Sequence, residues 1–226
     1  MDTTQRTRIA GWSGIVGGSV WFIQSVLVWA GLINTSTPGT TGFDVGAALA
    51  TTNLVLVLIG FLGISWGGGF GGWFGKIVFG VAMLGYVLMV IGGVLTILGI
   101  GPLTDPETAV SLIFLLGRLI AVIFTLLTGV AVVLARHWQG WTRWTPLLFG
   151  LWPIMGELLP VIVTGQQPHE LLNGAWGVCA ALVGFAVLAQ LHATRTRPAV
   201  AVGYSRSVCI VRAEDDRIVF GARPSQ

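Results

Sequence analysis

Six apolar runs dominate this chain, each nearly free of charge and about long enough to cross a bilayer core of roughly 30 Å. In lipid no water is at hand to satisfy an exposed N–H or C=O. Such runs must therefore close their own backbone hydrogen bonds, which helices do. The runs cover residues 9–33, 46–65, 77–101, 108–135, 145–164 and 171–192. Composition points the same way: 54% of the 226 residues are hydrophobic and 9% are charged. A soluble domain carries about a quarter charged residues. The predicted fold is all-α, a polytopic membrane bundle of six transmembrane helices over 1–192. A basic cytoplasmic tail, 193–226, is expected to be largely disordered.

Arg6 and Arg8 precede the first run as they would in a secretory leader. Residues 9–33 are too long for a leader's apolar core, and no A-x-A cleavage pattern follows, so a retained first helix is expected. The charges flanking the runs sort by side. Arg6, Arg8, Lys76, Arg136, Arg143, Arg195 and Arg197 fall on one side, and Asp44, Asp105, Glu107 and Glu170 on the other. The positive-inside rule then puts both termini in the cytoplasm, as an even number of crossings requires. The pI of about 9.4 reflects this orientation rather than nucleic-acid binding. Eleven of the twelve cationic residues are arginine, which with the Gly, Ala and Val content suggests a bacterial cytoplasmic (inner) membrane.

Trp66, Trp73, Trp138, Trp141 and Trp144 lie in the two cytoplasmic connectors, where indoles are expected to anchor at the headgroup layer. Ala10, Gly14 and Gly18 form a small-xxx-small ladder, and Gly177 with Ala181 forms a shorter one. These ladders suit close helix packing within the bundle or in a homo-oligomer. In the tail, VCIV and RIVF flank an acidic triplet and can pair as a hairpin, though an isolated hairpin is marginal. Its arginines suit contact with anionic membrane lipid.

The informative residues are polar ones within the runs. Arg118 lies roughly 15 Å from the outer end of the fourth run, and Glu157 roughly 11 Å from that of the fifth. A lone charge at such depth costs about 3 kcal/mol on insertion scales. Consecutive helices on a short connector are antiparallel neighbours, so the two are expected to pair. Ser111, Arg118 and Thr125 share one helix face, as do Gly150, Glu157 and Thr164. Gln24 and Asn53 fall at similar depth on the first two helices, and Asn173 and His169 are placed to rim an opening. Pro153 and Pro160 flank Glu157. Because proline has no N–H, Pro160 is expected to free the Gly156 carbonyl toward a cavity. A bland reading remains beside these: a buried ion pair that fixes helix register, with Gln24 and Asn53 as interhelical glue.

Several chemistries lack their residues. His137, His169 and His192 lie at or beyond helix ends, unsuited to haem ligation. Lys76 sits in a connector, not mid-helix where a retinal Schiff base forms, and Asp44 and Asp105 lie in outer loops, not paired within the bilayer. Neither a C-x-x-C nor a lysine-bearing phosphate loop is present. No cofactor and no metal are expected. The leading expectation is an outward-facing polar pocket that binds a small amphiphile or lipid headgroup through Arg118, Glu157, Gln24, Asn53 and Asn173. One alternative is a membrane-embedded enzyme in which Glu157 protonates a lipid or isoprenoid substrate. Terpenoid cyclases of the membrane resemble this chain only in small size, helix number and a buried acid. The other alternative is a small proton-coupled transporter using Glu157.

Overall fold

The computed structural model describes residues 1–33, 40–100, 108–165 and 170–196, and every regular element among them is helical. In chain order these are α1 (Thr3–Trp29), α2 (Thr41–Trp66), α3 (Trp73–Ile97) and α4 (Ala109–Ala135). A 3-10 turn (Gly140–Trp144), α5 (Thr145–Trp152), a π turn (Pro153–Leu158), α6 (Leu159–Thr164) and α7 (Glu170–Thr196) follow. Five of them, α1, α2, α3, α4 and α7, are long and apolar enough to cross a membrane, the signature of a multi-pass membrane protein. The tail beyond Thr196, with its expected hairpin, lies outside the described residues, as do Asp105, Glu107 and His169.

Capping residues set the helix starts, several residues outside the apolar runs. Asp2 accepts from the Gln5 N–H at 2.7 Å, so α1 begins at Thr3 rather than at residue 9. Thr40 accepts from the Phe43 N–H at 3.3 Å, which brings the start of α2 forward to Thr41. α1 stops short of residue 33 because Gly31 takes a left-handed φ of 72° and turns the chain. The Leu32 N–H then folds back onto the Leu27 carbonyl at 2.9 Å, closing the last turn.

The stretch 145–164 differs most from expectation. Instead of one continuous helix it is α5, the π turn and α6 in succession. The Leu159 N–H donates to the Ile154 carbonyl five residues back, the π spacing. Pro153 and Pro160 supply the physical reason, since neither can donate to an α-helical ladder. The wider turn between them carries Glu157.

Backbone-to-backbone contact holds α1 against both α2 and α7. A Cβ added at Gly60 would lie 2.5 Å from the Gly14 Cα, and one at Gly184 would lie 2.6 Å from the Ile15 nitrogen. Gly18 meets the Gly177 carbonyl and the Ala181 backbone, so both small-residue ladders are used within the fold. On the other side, Gly85 of α3 packs on Gly117 and Ala121 of α4, and Gly150 of α5 packs on Thr125 and Leu126 of α4.

Aromatic rings fill the centre. Trp21 and Trp176 lie 4.9 Å apart, Trp176 and Phe149 5.7 Å, Phe149 and Phe61 5.8 Å, and Phe61 and Phe79 5.3 Å. The chain of rings thus joins α1, α7, α5, α2 and α3. Outside, Leu112, Leu115, Leu116 and Leu119 of α4 are exposed, a surface suited to acyl chains.

Arg6, Arg8, Lys76, Arg136 and Arg143 belong to the end of the bundle where α1 and α3 begin and α2 and α4 finish. Asp44 and Glu170 stand in the first turns of α2 and α7, at the opposite end. Trp138 departs from its expected role as an interfacial anchor, because it is only 2% exposed. Its indole N–H donates to the Gly67 carbonyl at 3.4 Å. Ideal Cβ atoms at Gly67 and Gly69 would both come within 3.6 Å of the ring, so the glycine-rich turn leaves the bare surface on which it lies. Trp73, Trp141 and Trp144 are exposed at the same end.

Candidate functional site

At the end of the bundle opposite the arginines, five helices surround a cavity of about 250 Å³. Each contributes one face, because residues three or four apart on a helix point the same way. From α1 come Trp21, Gln24, Ser25 and Val28, and from α2 Ala47, Ala50, Thr51 and Leu54. α7 adds Glu170, Asn173 and Trp176, again at spacing three. Met89 and Gly93 of α3 with Phe114 and Arg118 of α4 complete the wall. Gly93 is needed where it stands, since a Cβ there would strike the Thr51 hydroxyl.

Two polar groups of the wall are each held by a more deeply buried partner. Arg118 forms an ion pair with Glu157 of the π turn; the arginine side chain is 41% exposed and the glutamate 7%. One carboxylate oxygen takes the guanidinium, and the other, Oε1, is buried with no hydrogen-bond partner among the described residues. In the second case the Asn53 amide donates to Gln24 Oε1 at 2.8 Å. Gln24 in turn donates through Nε2 to the Gly46 carbonyl at 3.1 Å. Asn53 is 1% exposed, so its contact sets the direction of the Gln24 side chain from behind.

Of the residues expected to bind a ligand, Gln24, Arg118 and Asn173 therefore line the cavity, whereas Asn53 and Glu157 stand behind it as supports. The fourth-helix stripe behaves as its spacing implies. Ser111 and Thr125 are buried, and the Thr125 hydroxyl donates to the Tyr86 oxygen at 3.3 Å.

No protein-family model matches the chain, and no curated protein or solved structure shows significant similarity to it. The chemistry of the cavity must be read from its own wall.

That wall offers several donors beside the Glu170 carboxylate. The guanidinium carries five N–H groups in a planar fork, and the carboxylate behind it engages one edge. The amide nitrogen of Gln24 has a second hydrogen beyond the one given to Gly46. Trp21, Trp176, Phe114, Met89 and Leu54 supply the apolar remainder. Such a mixture, mostly apolar with a few convergent polar groups, is what small-molecule sites share. Sequence reasoning missed Trp21, Ser25, Thr51, Phe114, Glu170 and Trp176. The three-residue spacing of Glu170, Asn173 and Trp176 was the available signal, and it joins an acid at the helix start to an indole nearly two turns in.

Proposed function

We propose that this is a six-pass protein of the bacterial cytoplasmic membrane, with both termini inside, that holds a small amphiphile or lipid headgroup in its outer-half cavity. Residues 145–164 act as the remaining crossing, since twenty helical residues extend roughly 30 Å, the thickness of the hydrocarbon core. Placing the arginine-bearing end in the cytoplasm satisfies the positive-inside rule. The cavity then opens toward the outer leaflet. Impermeant maleimide should label Asp44→Cys but not Trp141→Cys in intact cells, in a background without the native cysteines. The reverse pattern overturns the orientation.

One observation carries the binding reading: a guanidinium lines a cavity at membrane depth while its carboxylate partner sits behind the wall. A pair serving only to lock two helices together has no need to face a void. The same geometry weighs against acid catalysis by Glu157, whose carboxylate is engaged by Arg118 and is not part of the wall. Native mass spectrometry of the chain released from its own membrane should show a retained small amphiphile. The variant Arg118→Met with Glu157→Met should remain monodisperse and lose it. Equal retention by the double variant refutes the reading.

A further inference from the structure

The charge balance of the cavity narrows the ligand class, and this step rests on the binding reading above. Arg118 contributes one positive charge to the wall, which Glu157 compensates from behind. Glu170, exposed in the first turn of α7 and part of the same wall, contributes a negative charge, and among the described residues of that wall the only cation is Arg118, already paired. Asp44, in the first turn of α2, adds a second negative charge at that end. A purely anionic head entering here meets repulsion at the mouth before it reaches the guanidinium. A purely cationic head is welcomed at the mouth but leaves the inner donors unmet.

We infer that the cavity takes a zwitterionic head, its ammonium against Glu170 and its phosphate or carboxylate against Arg118. Two further features fit that polarity. Trp176 stands roughly 9 Å along the helix axis from Glu170, with Asn173 midway, so acid, amide and indole follow one path inward. Arg118, roughly 14 Å into α4, and the second Gln24 N–H supply donors suited to an oxyanion. Size agrees as well: a cavity of about 250 Å³ has room for roughly eight water molecules' worth of ligand. That suits a head of phosphoethanolamine dimensions, with any acyl chains left outside.

The test uses the full chain in detergent, with four probes titrated against tryptophan fluorescence and thermal unfolding. They are dihexanoyl phosphatidylethanolamine, dihexanoyl phosphatidylglycerol, dodecylamine and free O-phosphoethanolamine. The ethanolamine lipid should bind about tenfold more tightly than the glycerol lipid or the amine, the worth of one charged contact. Glu170→Gln should erase the preference over the glycerol lipid, and Arg118→Met should weaken both phospholipids. Saturation by O-phosphoethanolamine supports the zwitterion and identifies a soluble source; binding of the lipid alone supports it and identifies the bilayer. Equal affinity for the two lipids, or a preference untouched by Glu170→Gln, overturns the zwitterion and leaves the binding reading standing. Failure of all four probes overturns both.

Discussion

Replacing Glu157 by methionine removes one half of the intramembrane ion pair while keeping the side chain's length, and its cost can be worked from the structure. Arg118 lies nine residues into α4, roughly 14 Å from the helix start, well inside the apolar zone. A lone arginine at the centre of a spanning helix costs about 2.5–3.5 kcal/mol on insertion scales. Removing one partner from a fully buried pair costs about 3–5 kcal/mol. The 41% exposure of the guanidinium side chain places this case at the lower end, so we expect about 3 kcal/mol, or more than a hundredfold in the folding equilibrium. The double variant Arg118→Met with Glu157→Met leaves no stranded charge and should lose about 1 kcal/mol or less. Reversible unfolding of the full chain in mixed micelles, followed by circular dichroism against the mole fraction of dodecyl sulfate, measures both. A double variant as unstable as Glu157→Met alone would falsify the reasoning, as would a single variant within about 0.5 kcal/mol of wild type.

Gly60→Val should abolish the monodisperse folded species in gel filtration, because its first side-chain carbon already meets the Gly14 backbone at 2.5 Å. Gly80→Ala, with nothing within 4 Å, should elute as wild type does. Trp138→Phe loses the bond to the Gly67 carbonyl and part of a buried ring, and should cost about 1–2 kcal/mol in the micelle assay. Trp73→Phe, at a position 74% exposed, should cost little by the same measurement. Asn53→Ala should cost about 1 kcal/mol and weaken amphiphile retention, because Gln24 loses the partner that aims it.

Hydropathy alone locates the five long helices, because a segment that crosses lipid must be apolar along its whole length. The same uniformity hides what lies inside. When every face of a helix is apolar, periodicity cannot tell a ring in the core from one in the acyl chains. Phe61, Tyr86, Phe149 and Trp176 are for that reason invisible as core residues in the sequence. Polar residues escape this limit, since lipid rejects them, and simple depth arithmetic brings Arg118 to Glu157. That arithmetic does not say which member faces the cavity. The answer depends on the π turn, whose extra residue changes the facing of everything after Pro153. The two prolines mark where the α-helical ladder fails, but they do not say how the backbone repairs it. Trp138 was misplaced for another reason: its burial depends on the glycine turn after α2, a contact between distant parts of the chain.

The close fit of α1 between α2 and α7 has a consequence for synthesis. Its partner glycines on α7, Gly177 and Gly184, emerge from the ribosome only after nearly all the intervening helices have entered the bilayer. Until then the bare ridge along Gly11, Gly14 and Gly18 has only half its mould. A stalled or truncated product therefore leaves that glycine ridge of its oldest helix uncovered, and the arrival of the youngest helix closes it.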